Sequence, residues 1–175
     1  MIEPARSLLD FLETGGFVLW GIFLLSSLLW TIILERYWFL YRVYPRYVEG
    51  WVRQWNERSE KRSWYARKIR ERIISHAKLR LEHSLVFIKT LIVLGPLFGL
   101  LGTVTGMMEV FDMMALTGNN DARVLASGIS RATLTTMAGL LIALTGMYPA
   151  INLKQRAKRE TEHLTDTLQY QERER

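Results

Sequence analysis

The chain has 175 residues, of which 49% are hydrophobic, and it carries 23 Lys and Arg against 17 Asp and Glu, for a net charge of +6. The absence of cysteine excludes disulfides, iron–sulfur ligation and thiolate zinc sites. The sequence also lacks a nucleophile elbow, a phosphate-binding glycine loop and an HExxH pair, so it predicts neither an enzyme nor a cofactor.

The charges are segregated along the chain. Three windows, 15–34, 90–108 and 132–153, contain no Asp, Glu, Lys or Arg. A hydrocarbon core of ~30 Å needs about 20 predominantly apolar helical residues, and each window reaches that length. We therefore predict an all-α membrane protein with three transmembrane helices. The intervening pieces are too polar and too scattered for a separate globular domain, so residues 1–175 form one domain.

The first window has a predicted orientation and no predicted cleavage. Residues 1–14 lack a basic region, and no small-residue cleavage pattern follows, which indicates an uncleaved anchor. Segment 35–89 holds 14 basic residues against six acidic ones. The positive-inside rule places 35–89 and 154–175 in the cytoplasm, with the N-terminus and the connection 109–131 outside. Topology thus explains the excess of positive charge, and no nucleic-acid partner is needed.

Segment 35–89 begins with a dense run of aromatic residues. We predict an interfacial turn around Pro45 and Gly50 and an aromatic belt at the headgroup level without a specific ligand. The belt consists of Tyr37, Trp38, Tyr41, Tyr44, Tyr47, Trp51, Trp55, Trp64 and Tyr65.

Helical segments are predicted to extend the second and third spans into the cytoplasm. No Gly or Pro occurs between Gly50 and Gly95, so residues 51–94 would form a helix of about 66 Å. Segment 154–175 is likewise rich in helix formers. His76 and His83 share a face of the first of these helices, but their basic surroundings disfavour a haem site, which needs imidazoles in the apolar bundle.

Small residues form one seam along each of the last two spans. Such seams let helix backbones approach closely in lipid. The two helices could pack against each other within one chain. Because three helices can hardly bury two complete seams, we instead expect lateral assembly with other copies, as a homo-oligomer, or with another protein. The seams comprise Gly95, Gly99, Gly102 and Gly106 in the second span, and Ala132, Gly139, Ala143 and Gly146 in the third.

Two threonines, Thr103 and Thr136, lie along these seams. A threonine in a membrane helix most often bonds a carbonyl of its own helix, which is the alternative to a role in a pore. Apart from Tyr148, neither span has an ionisable side chain. Proton paths through membranes usually rely on Asp, Glu or His. If this chain conducts protons, a partner must therefore supply the acid.

The segments GPLFGLLGTVTGMMEVF (95–111) and GISRATLTTMAGLLIAL (128–144) resemble the signature of the MotA/TolQ/ExbB proton-channel family, most closely its ExbB branch, including that of second TonB systems. The resemblance implies a bacterial inner-membrane ring of five copies around a pair of single-span ExbD-like helices. Proton flow through that assembly would drive a TonB-like protein and outer-membrane import. It also implies that Thr103 and Thr136 are the pore threonines.

Arg131 departs from the family pattern, because many relatives have Glu at this position. Arg131 and Thr136 are about 140° apart on an ideal helix, so both cannot point down one narrow lumen. We expect Arg131 to pair with Glu109 at the outer ends of the two spans, with an unpaired interfacial arginine as the equal alternative. Two other functions are compatible with the sequence, namely a TolQ-like role in envelope maintenance and a non-conducting membrane scaffold.

Overall fold

The computed structural model describes residues 16–57, 63–117 and 122–168. Apart from Glu57, Ser63 and Leu168, every residue in these ranges is helical, and none is in a strand, so the all-α prediction is confirmed. The elements are α1 (Gly16–Trp38), a π-helical turn (Phe39–Val43), α2 (Tyr44–Asn56), α3 (Trp64–Thr117) and α4 (Ala122–Thr167).

Three continuous helical stretches are long and apolar enough to cross a membrane, as the charge-free windows predict. They are Gly16–Asn56, Trp64–Leu116 and Ala122–Thr167. Each stretch extends well beyond its apolar window. Because α3 runs to Thr117 and α4 begins at Ala122, most of the predicted connection 109–131 is helical.

The predicted turn around Pro45 and Gly50 is wrong, since the first helical stretch continues to Asn56. Pro45 lacks an N–H and lies in the first turn of α2, a position that tolerates proline. Just before it, the backbone N–H of Tyr44 donates to the carbonyl of Phe39, the wider spacing of a π-helical turn. Gly50 costs an α-helix only about 1 kcal/mol, which tertiary packing can offset.

The helix predicted from residue 51 to 94 is also wrong at its start. Instead, α2 ends at Asn56 and α3 begins at Trp64. Ser63 caps α3, because its hydroxyl accepts a hydrogen bond of 3.2 Å from the backbone N–H of Ala66. A serine in this position favours helix initiation, so absence of Gly and Pro did not guarantee one helix.

The chain divides into two compact units. The span unit contains residues 16–30 and 89–147, and its core is formed where Val18, Leu19 and Ile22 pack against α3 and α4. The extension unit contains residues 31–88 and 148–168. It contains a buried cluster of Trp55, Ala66, Ala77, Leu164 and Leu168.

The predicted aromatic belt is divided between surface and core. Trp38 and Tyr41 are exposed, whereas Tyr44 and Trp55 are almost completely buried. The indole of Trp55 packs against the far ends of α3 and α4 in the extension unit. In the same unit the Arg70 guanidinium donates to the carbonyls of Thr165 and Leu168, which satisfies acceptors at the end of α4.

Candidate functional site

The two predicted seams face each other within one chain. A β-carbon added at Gly95 would lie 2.9 Å from the carbonyl oxygen of Gly139, and one at Gly99 would lie 3.1 Å from the Cα of Thr136. At Gly106 the added carbon would be 3.4 Å from the Cβ of Ala132. The backbones of α3 and α4 therefore approach too closely for side chains along most of this contact.

This arrangement overturns the argument that the seams require lateral assembly. The contact between the antiparallel helices α3 and α4 buries both seams, because each seam glycine of α3 is opposite a small residue or backbone of α4. Gly146 extends the contact to the first helix, since a β-carbon there would lie 2.8 Å from Leu29 Cδ2 and 3.2 Å from Ile92. Contacts between copies would have to use other faces of the helices.

Thr135 is a member of this contact that sequence reasoning missed. Its side chain fills the space above Gly102 and is 1% exposed. Its hydroxyl donates to the carbonyl of Ala132 at 2.8 Å. The signal was present in the TT pair at 135–136, but the family resemblance directed attention to the second threonine alone.

The first helix covers one side of the α3–α4 pair. Phe98 of α3 lies against Gly21, where an added β-carbon would be 3.3 Å from the ring. Ala138 and Ile142 of α4 pack against the apolar cluster at the start of α1. The pair consequently has one side covered by α1 and an opposite side that no described element covers, which we call the uncovered side.

Thr103 and Thr136 both lie toward the uncovered side. Thr103 is about 140° around α3 from Phe98, and Thr136 is about 160° around α4 from Ala138. Both side chains are partly exposed. They are also close along the helix axes, because Thr136 is opposite Gly99, one helical turn from Thr103.

Both hydroxyls donate to backbone carbonyls. The Thr103 hydroxyl bonds to the carbonyl of Leu100 at 2.7 Å, whereas that of Thr136 is 3.3 Å from the carbonyls of both Gly99 and Ala132. The bond to Gly99 crosses between helices. Each hydroxyl oxygen keeps acceptor capacity for water or a partner group.

Thr133 adds a third hydroxyl that the sequence analysis did not select. It is exposed, and its hydroxyl donates to the carbonyl of Ser130 at 2.8 Å. Its spacing of three residues from Thr136 puts both on one helical face. That i,i+3 spacing in the sequence would have identified it.

Glu109 and Arg131 lie on the covered side. An Arg131 guanidinium nitrogen is 3.1 Å from a Glu109 carboxylate oxygen, with the side chains 44% and 64% exposed. This is the pairing expected from the sequence. Both residues line a small groove with Phe17 and Val18 of α1. The ion pair is thus on the side of α3–α4 opposite Thr103 and Thr136.

The apolar windows provide hydroxyls and carbonyls but no carboxylate along the α3–α4 pair. Within the described residues no group of three or more His, Asp or Glu could hold a metal ion. Within these windows, Thr103 and Thr136 are therefore groups that could hydrogen-bond to water along the uncovered side.

The profile of the MotA/TolQ/ExbB proton channel family matches residues 44–166. The chain belongs to this family. It is 31% identical to an ExbB-like biopolymer transport protein of Synechocystis, over 82% of this chain and 69% of that relative. It is 47% identical to biopolymer transport protein exbB1 of Vibrio cholerae over 45% of this chain, and 35% identical to biopolymer transport protein ExbB of Helicobacter pylori over 41%.

The matches span 35% of the Vibrio relative and 49% of the Helicobacter relative. The family match confirms the resemblance seen in the two sequence segments and covers both α3 and α4. Together with three helices that can span a bilayer, it makes the chain a multi-pass membrane protein. The MotA/TolQ/ExbB proteins are a proton-channel family and not an enzyme family.

Proposed function

We propose that this protein is an inner-membrane proton-channel subunit that acts with an ExbD-like single-span partner. In this assembly, proton flow would drive a TonB-like protein and thereby import across the outer membrane. Support comes from the family match and from relatives that bear the name biopolymer transport protein. The observation that carries the proposal is the position of Thr103 and Thr136 on the one side of α3–α4 that α1 leaves uncovered.

The proposed roles of this chain's residues are hydrogen bonding and exclusion of bulk water. Thr103 and Thr136 would hold water beside a carboxylate that the partner helix brings to the same level. Apart from Thr133, exposed side chains such as Leu100 and Leu140 make this side apolar and would keep the path narrow. A charge that crosses 100 mV releases about 2.3 kcal/mol, so a few protons can offset the breaking of several contacts.

The proposal includes a homo-oligomeric ring, with five copies as in the ExbB branch. The uncovered sides would face the central lumen and the partner helices. Because the seams are used within each chain, neighbouring copies would meet through large side chains that remain exposed, among them Leu97, Val104 and Leu144. Native mass spectrometry in mild detergent tests this part, and a monomer with full transport activity would contradict it.

A double substitution tests the threonine roles. Thr103→Val with Thr136→Val keeps the side-chain shape and removes both hydroxyls, so proton flux in vesicles with the partner should fall about fivefold or more. Thr105→Val is the matched control, since Thr105 is on the covered side and its hydroxyl bonds to the carbonyls of Leu101 and Gly102. Equal flux in the double variant and the control would reject the proposed roles.

Orientation is tested separately. The proposed N-terminus is periplasmic, with segment 35–89 in the cytoplasm. The sequence has no cysteine, so single cysteines at Arg72 and Leu116 are unique labelling sites. An impermeant thiol reagent added to whole cells with a permeable outer membrane should label the Leu116→Cys variant only. Labelling of Arg72→Cys from that side would reverse the topology.

A further inference from the structure

One arginine and three tyrosines form a cluster in the extension unit, near the ends of the apolar windows 15–34 and 132–153. The Arg156 guanidinium carbon is 3.9 Å from the centroid of the Tyr41 ring. The rings of Tyr41 and Tyr37 are stacked, with centroids 6.4 Å apart. Tyr148 and Arg156 are both near enough to act electrostatically on the Tyr37 phenol. We name these four residues the Arg156 cluster.

The cluster has unused hydrogen-bonding capacity. Tyr41 and Tyr148 are 58% and 75% exposed, and Arg156 is partly exposed. Within the described ranges, Arg156 has no carboxylate within ion-pair distance, and no described group bonds the three phenol hydroxyls. A guanidinium fork and phenol O–H groups together suit the oxygens of a phosphate.

Basic residues of the extension unit have two kinds of partner. Some lie next to carboxylates, as in the pairs of Arg53 with Glu57 and Arg67 with Glu71. Others lie over aromatic rings without a carboxylate partner among the described residues. Arg42 over Trp38, at 5.7 Å, belongs to this second group, as does Arg156.

The level of the cluster indicates the source of the phosphate. Tyr148 is inside the window 132–153, and Arg156 is three residues beyond it, about 4.5 Å along the helix. Leu34 and Ile151, at the ends of their apolar windows, are 63% and 51% exposed. Phosphate-binding groups adjoin an apolar surface here, as a lipid with a headgroup and acyl chains requires. Free phosphate would use only the polar part.

We propose that the Arg156 cluster binds the phosphate of an anionic phospholipid from the adjacent leaflet. The guanidinium, held flat against Tyr41, would contact the phosphate oxygens, while the hydroxyls of Tyr37 and Tyr148 would donate to the headgroup. Acyl chains would lie along the exposed apolar side chains of α1 and α4.

Lipid retention tests the site directly. The full chain is placed in nanodiscs with equal phosphatidylglycerol and phosphatidylcholine, extracted in mild detergent, and weighed intact by native mass spectrometry. Arg156→Gln should retain about tenfold less phosphatidylglycerol than the unaltered chain. Arg159→Gln is the matched control, since it removes the same charge one turn away from an exposed position without a described ring contact. It should retain the normal amount.

A second variant and three possible outcomes distinguish specific lipid binding from its alternatives. Tyr148→Phe removes one hydroxyl and keeps the ring, so it should reduce retention without loss of helix, as circular dichroism can check. Equal losses in Arg156→Gln and Arg159→Gln would overturn the proposal, as would equal retention of phosphatidylcholine. Displacement of the lipid by excess inorganic phosphate would identify free phosphate as the occupant and would also overturn it.

Discussion

The two units of this protein hold their helices together in different ways. In the span unit, glycine and alanine bring the backbones of α3 and α4 into direct contact. In the extension unit, the centre is filled by large side chains, with Trp55 2% exposed and Leu168 fully buried. Four of the five ion pairs among the described residues also belong to the extension unit.

The difference follows from the solvent that each unit is built for. In water, transfer of a large apolar side chain into a core is favourable by about 25 cal/mol per Å² of buried surface. In lipid, a large side chain gains little by leaving the acyl chains, so close van der Waals contact between backbones drives association. One continuous helix, α3, serves both modes, with alanines and isoleucines in one part and glycines in the other.

The largest expected effect is in the extension unit. Trp55→Ala should lower the free energy of unfolding by about 3–5 kcal/mol, because it removes a buried indole and leaves a cavity. Trp64→Ala removes the same side chain from a position that is 64% exposed, and should change the free energy of unfolding by much less. Thermal unfolding followed by circular dichroism in detergent measures both. Similar effects of the two substitutions would show that the extension unit has no core stabilised by the hydrophobic effect.

In the span unit, a single added methyl group should be enough to disturb packing. Gly139→Ala places a β-carbon against the backbone of Gly95 and 3.1 Å from the Cα of Gly99, so the helices must separate. We expect a loss of about 1–3 kcal/mol. Gly106→Ala meets Ala132 at 3.4 Å, an ordinary contact, and should be nearly neutral.

Thermal stability in detergent distinguishes these glycine variants. If Gly139→Ala were as stable as Gly106→Ala, direct backbone contact could not be what holds α3 to α4. The same pair of variants also tests how copies of the chain assemble. If Gly139→Ala abolished the proposed homo-oligomer without a loss of monomer stability, the seams would instead lie at an interface between copies.

The sequence predicted the span unit better than the extension unit. Charge-free windows and glycine spacing follow from the lipid solvent itself, so three spans and two seams could be read from residue types. Whether the seam of α3 contacts the seam of α4 or another chain depends on how the helices pair. The spacing of small residues does not encode this pairing. In the extension unit, burial of Tyr44 and Trp55 could not be read from composition, since amphipathic aromatic residues suit an interface and a core equally well.

The candidate site divides in a similar way. Positions of Thr103 and Thr136 along their helices came from the sequence, and the angles correctly separated Arg131 from Thr136. The uncovered side could not be predicted, because it depends on where α1 packs. Thr133 and Thr135 show the limit of a family resemblance, which names the matched positions and leaves their neighbours unexamined.

The smallest expected effect concerns the outer ion pair. Glu109 and Arg131 are 44% exposed or more, so their interaction should contribute at most about 1 kcal/mol and weaken with salt. A double-mutant cycle with Glu109→Gln and Arg131→Gln measures it. In transport, Arg131→Gln should be milder than Thr136→Val. Complete loss of proton flux in Arg131→Gln, with oligomeric assembly unchanged, would give Arg131 a direct part in the proposed proton path.

The buried arginine of the first helical stretch has a consequence for biosynthesis. Arg36 is 6% exposed, and its guanidinium donates to the carbonyls of Arg80 and Leu81. These acceptors are made 44 and 45 residues later. At roughly 5–20 residues per second, the first helix waits about 2–9 s before its arginine has these partners. During that interval the charge must stay hydrated, so α1 enters the membrane with this end held at the aqueous boundary and is secured there only after α3 arrives.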